Sequence, residues 1–95
     1  MTDLEIIKKL KEKVGFNFTE AGKMRNIFFD IDEKECSYYL NENNRITGLK
    51  IKGLKLESLP EEISELRYLI VLNLGGNKIQ NIKGLENLTA LTALK

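Results

Sequence analysis

Histidine is absent from this 95-residue chain, and cysteine and proline occur once each. Without histidine the chain lacks the usual proton shuttle near neutral pH and the commonest nitrogen ligand of transition metals. Neither a Ser-His-Asp nor a Cys-His catalytic site can be assembled within it. The single cysteine, Cys36, forms no disulfide inside the chain, which suits a reducing compartment. Charge of one sign is also lacking in excess: 15 Lys and Arg against 14 Asp and Glu leave +1. No overall field therefore draws the chain to nucleic acid or to an anionic membrane. Long apolar runs are missing too. The opening MTDLEIIKKLKEKVG is interrupted by Asp3, Glu5 and lysines, unlike a signal peptide or a membrane span. These absences predict a cytoplasmic protein with no membrane or nucleic-acid partner.

What is present is 42% apolar residues, enough for one small domain that buries about 60–65% of its unfolded surface. Their order repeats. From Ile46, apolar residues stand at 46, 49, 51, 54, 56 and 59, and adding 23 gives 69, 72, 74, 77, 79 and 82. All of the second set are Leu or Ile except Asn77. After a shortening by one residue the pattern resumes at Leu85, Leu88, Leu91 and Leu94, offset by 22. Neither helix nor strand periodicity explains these intervals, whereas an internal repeat of 22 to 23 residues does.

The second unit reads Leu69-x-x-Leu72-x-Leu74-x-x-Asn77-x-Ile79. This spacing resembles the leucine-rich repeat, L-x-x-L-x-L-x-x-N-x-L. The first unit, Ile46-x-x-Leu49-x-Ile51-x-x-Leu54-x-Leu56, follows the frame with Leu54 in place of the asparagine, and a third starts at Leu91-Thr-Ala-Leu94. The resemblance covers about half the chain and implies a short right-handed α/β solenoid with parallel strands on its concave side. In each coil the alternating pair, Leu72 and Leu74 here, points inward from a short strand. The family implies that the Asn77 amide satisfies turn backbone, and Ile79, Ile82, Leu85 and Leu88 pack the return. One such coil cannot bury its apolar wedge alone, so coils stack.

The two returns differ. SLPEEISEL places Ser58 three before Glu61, with Pro60 near the first helical position, and predicts a short helix. NIKGLENL is one residue shorter, contains Gly84, and predicts a tighter 3₁₀ or single-turn return.

Residues 1–45 are expected to cap the repeats of 46–95. Thr2 and Glu5 form a capping box, Ile6, Ile7, Leu10 and Val14 share one face, and Gly15 supplies a stop, which predicts an amphipathic helix. RNIFFDI and CSYYL are aromatic and β-branched, and they flank the polar run DEKE, so two strands or extended segments are expected there. NENNR reads as a tight turn into the first repeat strand. Helix plus hairpin would close the apolar end and strand edge of the first coil. The opening helix and YYLNENNRITGLKIKGLKLESLP are similar to the start of bacterial and archaeal leucine-rich-repeat proteins, some of the Roco type, whose repeats precede a GTPase domain. GGNK at 75–78 lacks the spacing of a phosphate-binding loop.

Other chemistry is sparse. Asp30 and Asp32 have a D-x-D spacing, but nothing else marks a nucleotide or sugar site, and an acidic turn between strands accounts for them. Cys36 in a strand-like stretch reads as a small buried hydrophobe. No catalytic residue, metal ligand or cofactor is expected.

The resemblance places partner contacts on residues between the inward leucines. By frame these are Gly48, Lys50 and Lys52 in the first coil, Val71, Asn73 and Gly75 in the second, and Ala93 and Lys95 in the third. The lysines are expected on an exposed face, tolerant of charge reversal. The third coil has no asparagine and no return, so Leu91 and Leu94 are expected to form an open assembly edge. Either the polypeptide continues there or a partner packs on it, a second copy being one such partner. The sequence thus predicts a non-catalytic protein-binding module, or alternatively the regulatory or targeting amino-terminal segment of a larger enzyme such as a Roco-type GTPase.

Overall fold

In the computed structural model, which describes residues 2–29 and 35–95, an α/β fold is built on a mixed five-stranded sheet with an amino-terminal helix. Helix α1 runs Asp3–Val14. The Thr2 hydroxyl accepts the Glu5 N–H while the Glu5 carboxylate accepts the Thr2 N–H, and Gly15 ends the helix at φ 79°. Ile6, Ile7 and Leu10 are buried on its inner face. Lys11 and Lys13 occupy the last turn, where the helix dipole favours cations.

Strand β1 (Thr19–Glu20) pairs parallel with β2 (Cys36–Leu40), which pairs antiparallel with β3 (Ile46–Ile51). The hairpin therefore lies between β2 and β3, across NENNR, and not between RNIFFDI and CSYYL. Asn41 makes the turn: its Oδ1 accepts the N–H groups of Asn43 and Arg45, and Asn44 takes the left-handed φ of 61°. The sheet thus runs without a break across residues 45 and 46.

Beyond β3 the ladder is parallel. β4 (Val71–Asn73) pairs Leu49 with Leu72, and β5 (Ala93–Leu94) pairs Leu72 with Leu94. Those partners are 23 and 22 residues apart, the two offsets of the apolar pattern. The returns are 3₁₀ helices, η1 (Glu61–Glu65) and η2 (Leu85–Asn87). Ser58 does not cap η1; it forms a parallel bridge with Asn81, and Pro60 precedes the helix. The first return is consequently as tightly wound as the second.

The main core lies on one face of the sheet. There Ile6, Ile7 and Leu10 of α1 join Leu49, Ile51 and Leu72 of the strands and Ile63, Leu66 and Leu88 of the returns. Leu74 is half-buried beside them, whereas Ile82 is 58% exposed and takes no part. Lys13 Nζ reaches Glu62 at 3.2 Å, tying α1 to η1. Buried Asp3 accepts the Ile46 N–H at 2.8 Å, tying the helix start to β3.

The segment expected as a first strand is instead helix α2 (Arg25–Phe29). It sits on the opposite face of the sheet, where Ile27 is completely buried with Ala21 and Val71. Aromatic and β-branched residues favour strands only weakly, and here one buried isoleucine directed at a sheet face prevails over that preference. Asp30, Ile31 and Asp32 lie outside the described residues.

Candidate interaction surfaces

Strand alternation sorts the second face into two rows. Tyr39, Gly48, Val71 and Ala93 are register neighbours in an apolar row. Ser37, Lys50 and Asn73 form a polar row beside it, which Lys95 extends one residue beyond β5. All eight residues assigned to the concave face lie on or beside these rows, but the face is covered, not open. Helix α2 lies across it, and Gly48, Lys50, Val71 and Asn73 are buried. Lys52, Gly75 and Ala93 are half-buried, and Lys95 is exposed.

Lys50 in particular is 0% exposed, so the expectation of an exposed lysine tolerant of charge reversal is corrected. Both Lys50 and Lys52 are partnered. Reversing Lys50 would place an anion in a site built around a cation.

The cover is held by specific chemistry. Asn73 Nδ2 donates to the carbonyls of Ile27 (2.9 Å) and Phe28 (3.3 Å), while its Oδ1 accepts the Gly75 N–H at 3.0 Å. Lys95 Nζ donates to the Phe28 carbonyl at 3.3 Å and stands 5.5 Å from the centre of the Phe28 ring. Gly48 leaves the room that α2 needs. A Cβ there would stand 2.5 Å from Met24 Sδ and 3.1 Å from Ile27 Cγ1. Sequence reasoning missed the pairing of Asn73 with α2. Its one visible signal was a polar residue held between Leu72 and Leu74 in an otherwise apolar strand.

Asn77 lies in the turn after β4. Its Oδ1 accepts the N–H groups of Leu54 and Leu56, and its Nδ2 donates to the carbonyls of Ile51 and Leu74. It is a part-buried structural amide with all its bonds to backbone.

Among the described residues, β5 is the outermost strand on this side of the sheet. Ala93 and Lys95 donate their N–H groups to the carbonyls of Ile70, just before β4, and of Leu72 within it, at 3.1 and 2.9 Å. The backbone groups of Leu94, between them, consequently face the outer edge. Leu94 is 48% exposed and Leu91 half-buried, so the end of the ladder presents both unpaired backbone and apolar side chains.

A shallow groove between the start of α1 and the first return is lined by residues including Arg45, Arg67, Tyr68 and Asn87. The Arg45 guanidinium stacks 4.6 Å from the centre of the Tyr68 ring. No group of acidic, cysteine or histidine side chains suited to a metal ion occurs among the described residues, and none of their helices is long and apolar enough to cross a membrane. Burial, with a smaller push from Glu35, raises the Cys36 thiol to about 11. A thiol so placed is protonated and unreactive near neutral pH.

Compared with protein-family models, curated proteins and solved structures, the chain gives no match.

Proposed function

We propose that the chain is a non-catalytic leucine-rich-repeat module that binds protein, and that its assembly surface is the open end of the ladder, taken by a second copy. Support for the repeat reading comes from the 23- and 22-residue pairing offsets and from the bonds of Asn77 to backbone on either side of its turn. The observation that carries the binding reading is the outer edge of β5. There the unpaired N–H and C=O of Leu94 lie beside half-exposed apolar side chains. Two such edges meeting about a twofold axis pair antiparallel, so each supplies the donor and acceptor that the other lacks.

Sedimentation equilibrium across a range of concentrations tests this. The expected result is a dimer that Leu94→Asp converts to a monomer of unchanged far-ultraviolet circular dichroism. A wild-type monomer at every concentration contradicts self-association and favours the second reading, in which these coils lead a larger enzyme of the Roco type.

A further inference from the structure

We propose that the turn after β4 is a second recognition strip at the open end of the ladder, and that it receives the side-chain amide of an asparagine from a segment of a protein partner. This rests on the reading of that end as an assembly surface, and adds the chemistry that is read there.

The occupied form of such a site stands one turn earlier in the same molecule. After β3, the N–H groups of Leu54 and Leu56 converge on a single oxygen, Asn77 Oδ1, at 2.9 and 3.2 Å, while Asn77 Nδ2 donates to the Ile51 carbonyl at 2.6 Å. Two donors and one acceptor so placed match a carboxamide, which carries an acceptor oxygen and a donor nitrogen on one carbon. The 23-residue offset that pairs Leu49 with Leu72 carries these three groups onto the N–H groups of Asn77 and Ile79 and the carbonyl of Leu74. Among the described residues no group accepts either N–H. The Leu74 carbonyl takes Asn77 Nδ2 at 3.0 Å and keeps a second lone pair.

The direction of these groups follows from their neighbours. Lys78 and Gln80 donate their N–H groups to the carbonyls of Leu56 and Glu57, at 2.8 and 3.2 Å, back toward the turn after β3. Successive N–H groups of extended backbone point to opposite sides, so those of Asn77 and Ile79 point the other way, toward the side of β5. The Lys95 carbonyl accepts the Leu74 N–H at 2.8 Å, so β5 ends beside the strip. Apolar side chains rim it: Leu74 and Ile79 are half-buried and Ile82 is exposed, whereas Leu59, the counterpart of Ile82, is half-buried. Unpaired donors with an apolar rim suit a protein segment that brings both an amide and apolar cover.

A tethered segment supplies the probe. A nine-residue copy of residues 74–82 appended after Lys95 holds its copied asparagine near the strip at high effective concentration. Hydrogen exchange at the amides of Asn77 and Ile79 is then compared with that in the unmodified chain. This tail should slow both at least about 100-fold. A tail with Asn77→Leu in the copy should slow neither, although the turn after β3 accommodates leucine at the equivalent position as Leu54. A tail with Asn77→Asp in the copy lacks the donor for the Leu74 carbonyl and should slow them by no more than about tenfold. Equal slowing by all three tails, or by the aspartate tail as much as by the asparagine tail, overturns recognition of an amide. No slowing by the asparagine tail overturns the strip as a site. The tail adds no strand beyond β5, so either failure is separate from that of edge pairing, which sedimentation equilibrium reads.

Discussion

Asn77 joins the turns after β3 and β4 through one side chain. Its partners Ile51, Leu54 and Leu56 lie at the end of β3 and in the turn that follows it, and Leu74 lies just after β4. The first repeat has Leu54 at the equivalent position, half-buried against the main core, so a single amide serves both turns. Asn77→Ala leaves two N–H groups and two carbonyls short of a partner and should lower unfolding stability by about 2–4 kcal/mol, read from the urea midpoint. A midpoint within error of the wild type would mean that the turns hold without the amide. The position of Asn77 was legible because its spacing from the leucines is rigid. Asn73, only four residues earlier, carries an equally specific set of bonds, yet its partner α2 lies more than 40 residues away and no local pattern announces it.

Among the elements, α1 was the most legible because its capping box, apolar face and terminal glycine all lie within 14 residues and agree with one another. The segment 25–29 was the least. Its composition favours a strand, whereas burial of Ile27 against Gly48 and Val71 and the bonds of Asn73 and Lys95 to its carbonyls accompany the helix found there. How α1 is held predicts a response to acid. The Thr2 N–H draws the Glu5 carboxyl below its ordinary 4.5. For Glu62, burial pushes upward, but its own backbone N–H and Lys13 outweigh that and hold it low. Glu86 is lowered by its own backbone N–H and that of Gly84.

A carboxyl lowered in the folded state stabilises it fully above the unfolded value, and that contribution is lost as the pH falls through the folded value. The urea midpoint should therefore fall as the pH is brought from about 6 to about 3, with exposed Glu5 and Glu86 adding less in high salt. A midpoint that is flat or rising over that range would contradict these assignments.

At the scale of the whole molecule, the 23- and 22-residue offsets read from the apolar residues reappear as strand register, because that register brings Leu49, Leu72 and their neighbours together in one core. The covered second face was not legible. Its burial comes from residues before the repeats, and the frame of the repeats says nothing about what lies over them. The outer edge of β5 is proposed as a surface that takes another strand. A 22-residue copy of residues 74–95 appended after Lys95 supplies the next coil in register. Hydrogen exchange at the Leu94 amide in this extended chain is the direct test. Leu94, unprotected in a monomeric wild-type preparation, should become as protected as Leu72. If Leu94 keeps exchanging freely while the added residues remain unstructured, the edge does not accept a strand and the open-ladder account is wrong.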